Sequence, residues 1–582
     1  MQTFRVWAPL PEKMEIQVND RRFPMTPAAG GWWTAEVPAD GVVRYGFFVD
    51  GEGPFPDPRS SWQPDGVHGL SRRVDQEQFC WTDSDWRAPP LSSAVIYELH
   101  IGTFTDAGTF AAAMERLDHL VELGVTHLEL MPVNEFVGRR GWGYDGVGLF
   151  APHHVYGGPD GLKQLVAACH ARRLAVILDV VYNHLGPEGN YLMKFAPYFT
   201  TRYSAPWGQA INFDGAGSDE VRRFFCDNAL MWLRDYHFDG LRLDAVQAIY
   251  DQSAQPFLEQ LAGEVQRLGT ELGRHLVLIP ESDLNDPRLL WSPERGGFGL
   301  DAQWSDDFHH ALHTVLTGEQ NGYYADFGAL ADLDQALTKA FVYAGRYSER
   351  RQRRHGRSPA GLDGRRFVGY LQNHDQVGNR ADGARSSRLM SPGLLKTAAA
   401  IVLTAPFVPL LFQGEEWGAT APFFYFTDYS NPKLQKTVRE GRCREFAVFG
   451  WKPEDTADPQ AADTFERSKL NWSELSEPAH AGLLAWHRRL IELRRTEPAL
   501  ADGRLEDIHT AYDEAGRWLV IDRGPLRILC NFAGRPQPFK LPAGQYRLLL
   551  ASEPARQPEG DAPDLPAHSV AIFKREGNWP PA

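Results

Sequence analysis

Arg242 and Asp244 stand two residues apart in the stretch Phe238-Asp239-Gly240-Leu241-Arg242-Leu243-Asp244-Ala245-Val246. Leu241 and Leu243 alternate with them at the period of a strand, so the guanidinium and the carboxylate share one side. As a stabilising device such a pair returns little, because desolvating both charges costs about as much as their attraction gives. As chemistry it is useful. The Arg lowers the pKa of the carboxylate and keeps it ionised, and an anionic Asp at the end of a buried strand can act as a nucleophile. Structural Arg/Asp pairs are common at strand ends, so the rest of the chain has to decide between the two readings.

Three other apolar runs end in the same way. Asp179, Asn183 and His184 close the run over 174–181, Glu281 follows Leu278-Ile279-Pro280, and Asn373, His374 and Asp375 follow Gly369-Tyr370-Leu371. Each cluster alone reads equally as a set of capping or loop-ordering groups, Asp179 and Asn183 most of all. With Arg242 and Asp244 they supply the converging carboxylates Asp244, Glu281 and Asp375, besides Asp179, with an Arg and two His, and no H-E-x-x-H or P-loop accompanies them. That set suits acid/base chemistry on a neutral, hydroxyl-rich substrate, for which glycoside hydrolysis is the natural candidate.

The elements that must hold these groups alternate between strand and helix. Strand patterns run over 94–99, 127–131, 174–181, 238–246, 275–279, 302–304, 367–371 and 409–412. Helical patterns run over 110–123, 161–172, 259–272 and 394–403, and Val221, Phe224, Phe225, Met231 and Trp232 mark a further helix. Eight strands over about 400 residues fit a closed (β/α)8 TIM-type barrel better than two doubly wound sheets, because no Gly-rich dinucleotide fingerprint follows the first strand. In such a barrel the C-terminal strand ends line the active site, and the four polar clusters fall there. A Gly-rich loop, Gly141-Trp142-Gly143-Tyr144-Asp145, follows the second strand. Residues 183–217 exceed a simple loop and predict a small subdomain after the third strand. Short strand runs separated by Pro, Gly and Asn predict an N-terminal β-sandwich over 1–88, ended by Ala88-Pro89-Pro90. Similar runs predict a C-terminal β-sandwich over 501–582, leaving 89–500 for the barrel.

Composition narrows the function classes. The 582-residue chain carries a net charge of −15, which argues against a general nucleic-acid or anionic-membrane binder. The basic run 350–357 is read as a solvated loop. Aromatics make up 12% of residues, which suits sugar stacking as well as a large core. Five scattered cysteines without C-x-x-C read as free thiols in a reducing compartment, with no zinc site. Met1–Trp7 enters a strand pattern directly, without a basic and apolar leader, so a cytoplasmic protein is expected. No cofactor or metal is expected, since no ligand cluster stands out and acid/base hydrolysis needs none. Chain spacing gives no oligomeric state.

Asp179-Val-Val-Tyr-Asn-His184, Gly240-Leu-Arg-Leu-Asp244, Glu281 after its apolar strand, and Gln372-Asn-His-Asp375 resemble the four signature regions of the α-amylase superfamily, glycoside hydrolase family 13. Met131-Pro-Val-Asn134 and Trp142-Gly-Tyr-Asp145 match further elements of it. Phe4-Arg-Val-Trp-Ala-Pro9 resembles the start of the N-terminal β-domain of its branching and debranching members, a glycan-binding-module type. The resemblance implies Asp244 as nucleophile, Glu281 as general acid/base and Asp375 as the carboxylate that orients the distorted sugar. It further implies that His184 and His374 bond hydroxyls of the reacting glucose and that Tyr144 stacks on its ring, against a core-packing alternative for Tyr144. Arg242 and Asn373 join the substrate-binding set.

Within the superfamily, Glu281-Ser-Asp-Leu-Asn-Asp-Pro-Arg288, the run 301–310, Gln372-Asn-His-Asp-Gln-Val-Gly-Asn-Arg380, the run 243–249 and the run 322–328 are similar to those of maltooligosyltrehalose trehalohydrolases. The pattern departs at Gln247, where His is commoner, and this puts in doubt a substrate contact there. The implied reaction is hydrolysis of the α-1,4 bond beside the terminal trehalose, with branching or debranching of α-glucans as the alternative and a non-catalytic glycan-binding barrel as a third. Asp283, Asn285, Asp286 and Asp306 are candidates for leaving-group contacts, balanced by a loop-ordering role, and Trp304 is read as core packing rather than a stacking platform.

Overall fold

The structure, a computed structural model, describes residues 1–553 and 563–577. Its centre is a ring of parallel strands: β1 (Ile96–Leu99), β2 (His127–Leu130), β3 (Ala175–Val180), β4 (Gly240–Leu243), β5 (Val277–Pro280), β6 (Gln303–Trp304), β7 (Phe367–Tyr370) and β8 (Val408–Phe412). They pair in the order β5-β4-β3-β2-β1-β8-β7-β6, each parallel to its neighbour. Between β5 and β6 other bonds replace the strand ladder. Leu278 N–H donates to Asp301 Oδ2 at 2.8 Å, Asp301 N–H donates to the Leu278 carbonyl at 2.9 Å, and Gln303 Nε2 donates to the Ser282 carbonyl at 3.0 Å. The barrel expected from strand/helix alternation is thus what the chain builds.

Every residue of β3 is buried, as a strand apolar but for Asp179 requires when covered on both faces. Ile96, Ile177, Ile279, Trp304, Val368, Tyr370 and Leu410 pack as one cluster of barrel-strand side chains. At the N-terminal end of β4, Asp239 is buried and accepts from Trp86 Nε1, Arg274 Nη2 and Val176 N–H, each at 2.9 Å, and pairs with His170 Nε2 at 3.0 Å. It stands at the opposite end of the strand from Asp244, so this neighbour in sequence serves the fold.

The helix expected over 110–123 is two, Phe110–Met114 and Leu117–Leu123, with Arg116 at φ −106° and ψ −1° between them. The helices Asp306–Thr317 and Pro432–Ala447 were not legible from periodicity. The first is buried on nearly every side and places His309 and His313 in the interior, while the second buries only Phe446 and so lacks an apolar stripe. The segment after β3 contains the short helix Leu192–Phe195 and the hairpin Phe199–Ala205/Gly208–Ile211.

Ahead of the barrel, Gln2–Trp7, Trp32–Val37 and Thr26–Pro27 form one antiparallel sheet. Met14–Val18, Arg21–Pro24, Arg44–Val49, Glu52–Phe55 and Ser71–Arg72 form a second. After it, a five-stranded antiparallel sheet (Ile508–Asp513, Trp518–Arg523, Leu526–Asn531, Tyr546–Ala551, Ser569–Arg575) faces the pair Gln537–Pro538/Asp564–Leu565 through Val520, Leu529, Phe539 and Leu565. The sandwich expected over 501–582 includes 554–562 and 578–582, which lie outside the described residues. Among the described residues no helix is long and apolar enough to cross a membrane.

Candidate active site

The C-terminal ends of β3, β4, β5 and β7 bring the four sequence clusters together. Arg242, fully buried on β4, is their hub. Its Nη1 donates to Asp244 Oδ1 at 2.8 Å and to Asp179 Oδ2 at 2.9 Å. Its Nη2 lies 3.6 Å from Glu281 Oε2, beyond hydrogen-bonding reach, and its guanidinium sits 4.3 Å from the centre of the Trp304 ring. Burial opposes the Arg242 charge, but Asp179, Tyr144, Asp244 and Glu281 outweigh it and hold its pKa well above the ordinary value. The other oxygen of Asp244, Oδ2, accepts from Asn183 Nδ2 at 2.7 Å. Both oxygens of this carboxylate are therefore held by donors, while 12% of its side chain stays exposed to the mouth of the barrel.

β4 hands over to β5 through the backbone. Glu281 N–H donates to the Leu243 carbonyl at 2.9 Å and Val246 N–H to the Glu281 carbonyl at 3.0 Å. Between them Ala245 takes a left-handed conformation (φ 39°, ψ 52°), and its N–H donates to Glu281 Oε2 at 2.6 Å. Burial raises the Glu281 pKa well above the ordinary carboxyl value. Arg242 opposes the shift, and Asp244, Asp306 and Asp375 add to it. The two carboxyls thus differ: one is clamped by charged and amide donors, the other is biased toward holding a proton. That is the division of labour acid/base chemistry requires.

A second chain of bonds begins at Glu98 on β1. Glu98 Oε1 pairs with His374 Nδ1 at 2.5 Å, and Glu98 Oε2 accepts from His374 N–H at 3.0 Å. His374 Nε2 lies 2.8 Å from Tyr144 Oη, which donates to Asp179 Oδ2 at 2.6 Å. Burial disfavours the imidazolium, but Asp375 and Glu98 raise the His374 pKa to about 9. At neutral pH both ring nitrogens are donors, and Tyr144 relays toward Asp179. Asp179 is itself pushed up to about 7, by burial first and then by Asp244, against Arg242. Tyr144 reaches this position because Gly143 lies at φ 99°, where a Cβ would fall 2.2 Å from the Pro132 carbonyl oxygen.

Residues 76–204 match the family described as the alpha amylase catalytic domain, and residues 503–572 match a domain of unknown function, DUF3459. Malto-oligosyltrehalose trehalohydrolase of Mycobacterium tuberculosis is 49% identical over 581 residues, covering 99% of each chain. That of Arthrobacter ramosus is 51% identical over 545 residues, covering 93% of this chain and 94% of the relative. The chain belongs to the malto-oligosyltrehalose trehalohydrolase family. With that family it is a glycoside hydrolase of the α-amylase type. The crystal structure of an α-amylase-like protein of Salmonella typhimurium superposes with a TM-score of 0.90 at 37% identity, over 98% of this chain and 97% of the other.

Several of the expected substrate contacts have partners within the protein. Glu98 and Tyr144 partner the two ring nitrogens of His374. Asn373 is buried and caps the helix His374–Gly378, accepting from Asp375 N–H at 2.9 Å and Gln376 N–H at 3.3 Å, and so helps to aim Asp375. Asp286 faces Arg288, at 2.8 Å from its Nε, and caps the turn Pro287–Leu289. Asn285 donates to Asp307 Oδ2 at 2.7 Å and is buried. These bonds order the loop after β5. Asp283 pairs with Arg351 at 3.0 Å and keeps 40% of its side chain exposed. Trp304 fills the barrel beneath Arg242.

Other placements favour the site. Asp375 is 40% exposed, 3.5 Å from His374 Nε2. Tyr144 stacks on His374 with centroids 5.2 Å apart. Burial lowers the His184 pKa, and its ring stacks on Trp207 at 4.4 Å. Trp207, 53% exposed on the hairpin turn, was not singled out by sequence reasoning. Glu98 was also missed, although a lone Glu within the apolar strand Ile-Tyr-Glu-Leu was a usable signal. Asp306 accepts from Tyr370 Oη at 2.6 Å, and burial together with Asp283, Asp375 and Asp307 pushes its pKa to about 7.

Proposed function

We propose that this chain hydrolyses the α-1,4-glucosidic bond next to the terminal trehalose of a maltooligosyltrehalose, releasing trehalose by a retaining double displacement. The observation that carries the mechanism is the unequal pair at the β4/β5 mouth, Asp244 clamped by Arg242 and Asn183 and Glu281 biased toward its protonated form. In the first step an Asp244 oxygen attacks the anomeric carbon on the far side from the glycosidic oxygen. The carbon–oxygen bond breaks as Glu281 gives its proton to that oxygen, and trehalose leaves. The maltooligosaccharide remains as an ester of Asp244. In the second step Glu281, now a carboxylate, takes a proton from water, whose oxygen attacks the same carbon and frees Asp244. Asp375 orients the reacting glucose, with Tyr144 and His184 at its ring and hydroxyls.

The substrate assignment rests on full-length identity with relatives of that name. We read 1–88 as a glycan-binding-type module, 89–500 as the catalytic barrel with its subdomain over 183–217, and 501–582 as a closing sandwich. Five unpaired cysteines support a cytoplasmic setting. Incubation with maltopentaosyl-trehalose and, separately, amylopectin tests the proposal. It expects free trehalose from the first and intact branches in the second. Gain or loss of α-1,6 branches without trehalose would move the enzyme to branching or debranching chemistry.

A further inference from the structure

Outside the active site, Glu135, His153 and His154 converge, and each offers a ligand atom within 4.8 Å of the others. No metal-ligand spacing announced them in the sequence, because 17 residues separate Glu135 from His153 until the strands Asn134–Glu135 and Gly148–Pro152 pair antiparallel. Glu135 and His153 are fully buried. Glu135 Oε1 lies 2.8 Å from His154 Nδ1, and Glu135 Oε2 lies 3.3 Å from His153 Nδ1. A tetrahedral zinc ion with bonds of about 2.0–2.1 Å separates its ligand atoms by about 3.3 Å, and each imidazole already stands within that distance of one of the two Glu135 oxygens.

The second observation is His153 itself. Its ring is buried and stacked on Phe136 at 3.8 Å; Nε2 has no hydrogen-bond partner, and Nδ1 has only the 3.3 Å approach to Glu135 Oε2, without hydrogen-bond alignment. A buried imidazole without a hydrogen-bond partner carries a desolvation cost that a metal–nitrogen bond would remove. Beside Glu135 lies a small cavity lined also by Gln63, Val67, Val147 and Tyr191.

We propose that Glu135, His153 and His154 form a structural site for a divalent transition metal of the zinc type. Two imidazole nitrogens and one carboxylate select against calcium and magnesium, which take oxygen ligands. The metal would take the place of the proton between Glu135 Oε1 and His154 Nδ1, with the His154 proton moved to Nε2. Both ends of the loop 136–147 meet at this cluster, and the loop carries Trp142, Gly143 and Tyr144. The ion therefore braces the base of the loop that delivers Tyr144 to Asp179, without entering the hydrolytic chemistry.

The test uses the full chain, free of any histidine tag, stripped with a chelator, and with Cys80 and Cys443 alkylated. Titration with Zn2+, and with Co2+ as a spectroscopic stand-in, is expected to show one equivalent bound. The Co2+ form should give visible absorption of a tetrahedral nitrogen/oxygen site, and amide exchange across 136–147 should slow on binding. His154→Gln, at a partly exposed position, should weaken binding by about 100-fold or more while the chelated variant melts as the chelated wild type does. His153→Gln should do the same. No stoichiometric binding, or binding unchanged in His154→Gln, would overturn the proposal, the latter by placing the ion elsewhere.

Discussion

Glu281 Oε2 accepts a 2.6 Å hydrogen bond from the backbone N–H of Ala245, the residue that follows Asp244. The left-handed turn at Ala245 (φ 39°) makes that bond possible, and a non-glycine residue holds such a conformation only when its surroundings impose it. Oε2 being an acceptor, the acid proton of Glu281 belongs on Oε1. One strained peptide therefore fixes the proposed nucleophile and the proposed acid relative to each other, and selects which oxygen serves the leaving group.

Asp306 is one of the charges that raise the Glu281 pKa. Asp306→Asn removes it, so the Glu281 anion becomes easier to form and its acid form is lost at lower pH. The alkaline limb of kcat/KM should move down by a few tenths to about one pH unit. A limb that stays in place would remove Asp306 from the electrostatics of the acid.

Asp244→Asn should lower kcat by on the order of 10⁴-fold or more, since no neutral amide can form the glycosyl ester. Oligosaccharide binding, followed by calorimetry, should persist because Tyr144 and His184 remain. Turnover near the wild-type rate would reject the nucleophile.

His374 has a folded-state pKa of about 9 against an ordinary value of 6.5, through Asp375 and Glu98 acting against burial. A raised pKa contributes stability that is complete below about pH 6.5 and is lost as pH rises through about 9. The expected loss is about 3 kcal/mol, as an order of magnitude. Urea unfolding of the wild type and of Glu98→Gln between pH 6 and 9.5 measures it. The variant should lose much of this pH dependence, and identical slopes would contradict the assignment.

Asp239→Ala strips Arg274 and His170 of a buried partner at the far end of β4. Denaturation should reveal a loss of about 3–5 kcal/mol, with kcat per folded molecule unchanged. A specific fall in kcat would instead link the barrel floor to the site.

The barrel was legible because buried parallel strands leave unbroken apolar runs, and because Asp179, Arg242, Asp244, Glu281 and Asp375 follow those runs directly. The partners that tune them were not. Glu98 meets His374 across 276 residues, and Asp306 bears on Glu281 only after β5 and β6 close up. The sequence left Asn373 and Asp286 open between capping and substrate contact, because capping and recognition use the same side chains. The helix Asp306–Thr317 was hidden by polar residues that face the interior.

The most direct test of the central claim is proton NMR of the first seconds of maltopentaosyl-trehalose hydrolysis. Double displacement through Asp244 predicts trehalose and maltopentaose whose new reducing end appears first as the α-anomer, with the β-anomer growing only by mutarotation. Initial appearance of the β-anomer would contradict Asp244 as nucleophile and Glu281 as its acid/base partner.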